Sequence, residues 1–276
     1  MDDVIEVHFM NYDRTIAMIK RNPIIIKTVK NPTDEMKMIA IERDGMVLQY
    51  IKDATLEMKY LALKNNVNAI EFIDNPTEEM KIQAVTGGWT TLKYIENPSE
   101  ELIALGISQK GWAIQYAENP SIELQLLAVR KEHDAIKYIK DPSEEVQEAA
   151  VDKSYDALRY INNPSRSAEV KAVKINEAAI KFIKNLDEEK MIDLLKANIL
   201  VIKYIGKDIS KEVLEKILIE TLSDDEVEDK YVRDFLRCNS IDKSQGNISM
   251  DKVMFIYKYG SNKAKKVAVD EKLRIN

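Results

Sequence analysis

The chain has 276 residues, a formal charge of −6, and 45% hydrophobic against 32% charged residues. That acidic balance disfavours a binder that tracks phosphates along a nucleic acid, which carries a basic face. Eight glycines are too few for a β-rich or loop-rich protein, and the single cysteine, Cys238, excludes an intrachain disulfide and points to a reducing compartment.

Residues 1–9 open acidic at Met1-Asp2-Asp3, with no apolar leader, and are expected to form an N-terminal cap segment. No stretch approaches the length of apolar residues that a membrane span needs. A soluble, cytoplasmic protein of bacterial or phage type is the expectation.

From residue 10 to residue 207 the sequence is periodic. Six of the seven prolines stand at 32, 76, 98, 120, 142 and 164, on one 22-residue grid. A fixed short period means stacked copies of one small unit. Asn or Asp precedes the proline position in eight copies: Asn31, Asp53, Asn75, Asn97, Asn119, Asp141, Asn163 and Asn185. Thr33, Thr55, Thr77, Ser99, Ser121, Ser143 and Ser165 follow it, and Glu recurs two residues later, as in Glu79 and Glu145. This is helix-start chemistry. Asn/Asp or Ser/Thr accepts hydrogen bonds from orphan N–H groups, proline loses no bond in the first turn, and Glu complements the helix dipole. The sequence leaves open which of the two is the cap.

The first helix of each unit carries an apolar stripe, as in Met80, Ala84 and Val85 or Val146, Ala150 and Val151. These spacings share one helical face, and the small residue implies close helix approach. About five polar or irregular residues follow, such as 86–90 and 152–156, and are expected to form a loop. A short second helix then reads Ala-Ile-Lys-Tyr-Ile in its clearest copy, at 135–139. Its aromatic recurs as Tyr50, Phe72, Tyr94, Tyr116, Tyr138, Tyr160, Phe182 and Tyr204. A core ladder is the plainest reading of that recurrence, and a stacking surface for bases the alternative. Nine copies fit, beginning at 10, 32, 54, 76, 98, 120, 142, 164 and 186, with atypical end copies as terminal repeats require.

Residues 208–276 leave the grid. Helices are predicted over 210–222, 226–238, 250–259 and 262–273, with a loop from Asn239 to Asn247. This is read as a helical C-terminal capping subdomain, offering a homodimerisation element. Its split charge, acidic at 224–229 and basic from Lys258 to Arg274, reads as solvated surface.

The predicted fold is all-α: a right-handed α-solenoid of about nine helix-turn-helix repeats with a helical cap. About three-quarters of the residues should be helical, against the usual third. One 22-residue unit cannot bury enough apolar surface to offset ordering its backbone, at about 1–2 kcal/mol per residue. Stacking buries both sides of each pair, so stability becomes a sum over neighbours.

The strings NPSEEL…GWAIQYAENPS (97–121) and AIKYIKDPSEEVQEAAV (135–151) resemble an uncharacterised bacterial and phage tandem repeat. More broadly, residues 10–207 are similar to HEAT and armadillo solenoids. The resemblance implies architecture and supplies no catalytic residue. The occurrence of such repeats in phages makes a host-directed role conceivable.

A search for chemistry returns little. His8, His133 and Cys238 are scattered, with no metal-ligand spacing, so no metal and no cofactor is expected. No GxSxG or GxxxxGK[ST] occurs, and Gly87-Gly88 is a lone pair. The chain is therefore read as non-enzymatic. The Glu-Glu pairs at 78/79, 100/101 and 144/145 recur where a helix dipole wants them.

What varies on a regular scaffold is more informative. Trp89, His133 and Tyr155 occupy one between-helix position in different copies, and Trp112 lies one residue along. Each ring packing on its own loop or on the next copy is the plainer reading. As candidate partner-binding residues they would form an aromatic edge, since Trp and Tyr are typical anchors. The leading functional expectation is a scaffold that binds a protein partner and inhibits or sequesters it. The alternatives are a nucleic-acid-binding array using Lys37, Lys59, Lys81 and Lys93, or a small-ligand receptor with a pocket between array and C-terminal region.

Overall fold

The computed structural model describes residues 2–242 and 248–275, with side chains described over 12–242 and 248–273. The protein is 74% helical, and no strand occurs among the described residues. The chain divides into two compact units, 1–139 and 140–276. Within each, short helices in tandem stack on their sequence neighbours, an all-α, solenoid-like arrangement.

In the first unit the helix Asp2–Arg21 runs across residue 10, so that residues 2–9 continue the first repeat's helix. After it, each repeat pairs an α-helix of ten residues with a 3-10 helix of six. Asp34–Arg43 is followed by Gly45–Tyr50, Leu56–Asn65 by Val67–Phe72, Glu78–Gly87 by Trp89–Tyr94, Glu100–Gln109 by Gly111–Tyr116, and Ile122–Lys131 by His133–Tyr138. The second unit repeats the pattern in Glu144–Lys153 with Tyr155–Tyr160 and Arg166–Ile175 with Glu177–Phe182, and follows Glu188–Ala197 with a 3-10 turn of three residues, Ile199–Val201.

The cap ambiguity resolves in favour of Ser and Thr. Thr33, Thr55, Thr77, Ser99, Ser121, Ser143 and Ser165 each accept a hydrogen bond from the backbone N–H three residues on. The Asn/Asp two residues earlier does different work. Asn31, Asn75, Asn97, Asp141 and Asn185 hold φ between 46° and 53°, the left-handed conformation that Asn and Asp tolerate best after glycine. In these five repeats they reverse the chain after the 3-10 helix, ahead of the next helix cap.

The expected five-residue loop is a single residue. Asp44, Asn66, Gly88, Lys110 and Glu132, and Ser154, Asn176 and Asn198 in the second unit, each donate their backbone N–H to the carbonyl four residues back, closing the α-helix. Where the side chain is short and polar it also opens the next helix: Asp44, Asn66, Ser154, Asn176 and Asn198 accept from the N–H two residues on. One extended residue thus ends one helix and starts another, which leaves no room for a loop.

The core is the predicted stripe plus an inner edge of the 3-10 helix. Ala40, Ile41, Ala62, Leu63, Ala84, Val85, Ala128 and Val129 are completely buried. Repeat 5 (98–119) carries Gly106 at the small position, where a Cβ would lie 2.6 Å from Leu92 Cδ1 and 3.0 Å from the Ala113 Cβ. Fully burying a side chain of the Val/Leu/Ile class stabilises by about 1.5–3 kcal/mol, so these layers supply the stability that one repeat lacks.

Neighbouring repeats are also stitched by polar side chains at the last turn of the α-helix. Asn65 Nδ2 donates to the Glu42 carbonyl at 2.9 Å while its Oδ1 accepts from Gly45 N–H at 2.7 Å. Gln109 does the same between Val85 carbonyl (2.6 Å) and Trp89 N–H (3.1 Å).

In the second unit, after the short helix Ile202–Ile205, the C-terminal region forms helices Lys211–Ser223, Asp229–Arg237, Lys252–Tyr259 and Asn262–Ile275. Their bounds follow the predicted ones to within a few residues. Of the loop expected over Asn239–Asn247, Asn239–Ile241 is one 3-10 turn, and residues 243–247 lie outside the described residues. The buried Tyr231 hydroxyl donates to the Leu195 carbonyl at 3.0 Å, fastening this region to the last repeat. Glu271, 2% exposed, accepts from Arg237 Nε at 2.6 Å and faces Arg233 at 3.7 Å, joining two C-terminal helices.

Candidate interaction surface

The exposed edge of each unit is built by the 3-10 helices. In such a helix, side chains three apart eclipse one another, which sorts the six positions into three lanes. Leu48, Ile70, Leu92, Ile114 and Ile136 fall in the inward lane with Ile51, Ile73, Ile95 and Ile139, and all are buried. Lys27, Gln49, Glu71, Lys93, Gln115 and Lys137 point outward and are exposed. The recurrent aromatic follows the outward residue at the end of the helix, in the lane whose earlier member (Val47, Ala69, Thr91, Ala113 or Ala135) is fully buried.

The aromatic ladder is therefore a surface feature rather than the expected core. Tyr50 and Tyr138 are 40% and 37% exposed, and Phe72, Tyr94 and Tyr116 are half-buried. The isoleucine after the aromatic, extended at the end of the 3-10 helix, takes the core instead.

Cations accompany the rings. In the first unit Lys27 Nζ lies 5.7 Å from the Tyr50 ring centroid and Lys93 Nζ 4.3 Å from that of Tyr94. In the second unit Arg159 sits 5.9 Å from Tyr160 and 5.6 Å from Phe182, and Lys181 5.5 Å from Tyr204. At exposed sites such contacts contribute roughly 0.5–1 kcal/mol each. They leave the aromatic faces partly covered by a polar, displaceable group.

The four sequence-derived candidates are all half-buried. They stand at the start of their 3-10 helices rather than in a loop. Trp89 meets Tyr116 of the next repeat with ring centroids 6.2 Å apart, and Trp112 meets Tyr138 at 6.0 Å in an edge contact. Trp89, Trp112 and His133 belong to the first unit, and Tyr155 to the second. The two tryptophans extend the ladder: each bridges one repeat to the next.

Trp112 is the most connected of them. Its Nε1–H donates to Asp134 Oδ1 at 2.8 Å, and Lys137 Nζ lies 3.2 Å from Asp134 Oδ2 and 3.7 Å from the Trp112 ring centroid. Lys110 Nζ lies 4.7 Å from the same ring and 2.6 Å from Glu132. Burial pushes the Asp134 carboxyl up, but the hydrogen bonds from Trp112 and Lys137 outweigh it, so the carboxyl titrates below its ordinary value.

Of the four lysines considered for nucleic acid, two are held by carboxylates. Lys37 is 5% exposed and pairs with Asp53 at 2.7 Å and Asp34 at 3.1 Å. Lys81 pairs with Glu78 at 2.7 Å. Lys59 is half-buried, and Lys93 alone of the four is exposed.

A groove of about 410 Å³ opens on the first unit's edge between the turns Asn97-Pro98 and Asn119-Pro120, with Tyr116 as one wall. Another, of about 500 Å³, lies within the C-terminal helices beside Met254 and Tyr257 rather than between array and cap. No group of three potential metal ligands occurs among the described residues, and the His8 side chain lies outside them. No helix there is long and apolar enough to cross a membrane.

Comparisons with protein families, with curated proteins and with solved structures find no match to this chain.

Proposed function

We propose that this chain is a non-enzymatic helical-repeat scaffold, HEAT- or armadillo-like in design, that binds a protein partner along its 3-10 edge. The observation that carries this reading is the ladder of part-exposed aromatics in successive repeats, Tyr94, Tyr116 and Tyr138 with Trp89 and Trp112 between them. Tyrosine and tryptophan supply large contact area at little entropic cost and dominate binding hot spots. Sequestration or inhibition of a host protein is the role such an edge would serve in a phage or bacterial accessory protein. In the test, immobilised wild type and a Tyr94→Ser/Tyr138→Ser variant are presented with bacterial lysate at micromolar concentration. A protein retained by the wild type and lost by the folded variant supports the reading, and retention of none counts against it.

A second reading has its own support in the second unit. There Arg159, Lys181 and Lys203 are exposed at one position of three successive repeats and alternate with Tyr160, Phe182 and Tyr204. Interleaved cations and rings suit single-stranded nucleic acid. Binding of an oligonucleotide with a steep salt dependence, lost in Arg159→Gln/Lys181→Gln, would favour it. A homodimer through the C-terminal region would cover Met254 and Tyr257, which are 59% and 72% exposed, and light scattering reports it directly.

A further inference from the structure

Repeat 5 (98–119) breaks the grid at two places that face the same groove. The residue after the ladder position is Ile or Val in the other repeats: Val29, Ile51, Ile73, Ile95 and Ile139 in the first unit, and Ile161, Ile183 and Ile205 in the second. In repeat 5 it is Ala117. The isoleucines of the first unit fill their sites at 6–7% exposure, whereas Ala117 is half-buried and lines the 410 Å³ groove. The second departure is Ile103. Its position carries Lys37, Lys59, Lys81 and Gln125 elsewhere in the unit, yet Ile103 is apolar, 1% exposed and part of the same lining. A large residue has become small and a polar one apolar, and together they give the groove an apolar floor.

The rim has the opposite character. Glu118 and Glu100 line it. The position of Glu118 is also acidic in the two preceding repeats, at Asp74 and Glu96, but is Lys30 and Lys52 in the first two. Lys93, the cation on the lining, lies over the Tyr94 ring at 4.3 Å. The size is that of a small-ligand or side-chain pocket.

Resting on the reading of a protein-binding edge, we infer that this groove is its anchor pocket: it takes one bulky apolar side chain from an extended segment of the partner, flanked by lysine or arginine that meets the carboxylate rim. The apolar floor supplies affinity, and the rim selects the charge of the flanking residues.

The grid provides the test variant. Ala117→Ile restores the residue that other repeats carry, so it refills the groove without asking the fold for anything new. Its helical circular dichroism is expected to match wild type, with an equal or higher thermal midpoint. A display library of random dodecapeptides is sorted on intact wild-type protein. Enriched peptides should carry a Leu, Ile, Phe or Trp between basic residues, and a synthetic representative should bind A117I at least tenfold more weakly and E118Q several-fold more weakly. Peptides that bind wild type and A117I alike overturn the pocket while leaving a peptide-binding edge standing. Enrichment of acidic peptides, no enrichment at all, or Ala117-dependent capture of a single-stranded oligonucleotide instead overturns the inference as well. Loss of all peptide binding in the Tyr94→Ser/Tyr138→Ser variant but not in A117I would place the contact on the ladder alone.

Discussion

Replacing Trp112 by Phe removes the indole N–H, with the five-membered ring that carries it, from the junction of repeats 5 and 6. A smaller ring is left beside Tyr138 and Lys137, and the Nε1–H that donates to Asp134 at 2.8 Å is gone. A hydrogen bond to a charged acceptor contributes about 1.5–3 kcal/mol, and a carboxylate with a fifth of its side chain exposed belongs at about 1.5. The Asp134 carboxyl titrates below its ordinary value, with Trp112 among the causes. Stability from such a group is present above the unfolded-state value, about 3.9 for Asp, and is lost as pH falls through the lower folded value. The gap between wild type and W112F in urea unfolding should therefore be about 1.5–2 kcal/mol at pH 7 and shrink between pH 5 and pH 2. The part that survives in acid is the smaller ring's lost burial. A gap that is equal at pH 7 and pH 2.5, or that widens in acid, would refute the assignment of Trp112 as the donor that holds Asp134 ionised.

Asn97→Ala forces an ordinary residue into a left-handed turn and should cost roughly 1 kcal/mol, whereas Asn97→Gly should cost little. A larger loss for glycine in denaturant titrations would show that the Asn side chain, not its backbone, matters. Ser143→Ala removes a helix cap and should destabilise by about 1 kcal/mol, read from the same titrations; no change would mean the Asp141 turn suffices to start that helix. Asp53→Ala leaves the buried Lys37 with Asp34 alone and should lower the thermal midpoint, while Lys37→Met should hold or raise it; the reverse order would contradict the reading of Lys37 as a buried cation held by exposed carboxylates. Cys238 is 1% exposed, and burial pushes its thiol up, so an aromatic disulfide reagent at pH 8 should label it only after denaturant is added. Prompt labelling of the native protein would show that the C-terminal helices open readily.

Much of this architecture could be read from the one-dimensional pattern because each repeat solves the same local problem. Proline, Ser/Thr and Glu in sequence can do little but start a helix, and their return every 22 residues fixes how many helices start and where. The apolar stripe follows from helical spacing, so Ala84 and Val85 or Ala128 and Val129 announce themselves as core. Side chains that stitch repeats together, Asn65 and Gln109 for instance, left no periodic trace. They answer the backbone of the preceding repeat, and their chemistry differs from one repeat to the next.

The second helix of each repeat was legible as a helix but not in its geometry, and that difference moved the candidate site. Tyr116 follows the outward Gln115 and stays half-buried on the edge, while Ile114 takes the core. Each 3-10 helix is set off by a one-residue link before it and, in five repeats, by a left-handed Asn or Asp after it. In the same way the sequence shows Ala117 and Ile103 only as departures from a pattern. That they line one groove, together with Glu100 and Glu118, depends on how one repeat is seated against the next. Local free energies, of caps, propensities and apolar spacing, are carried by the residues themselves. Exposure belongs to the stack, because a side chain is covered only by what another repeat puts over it.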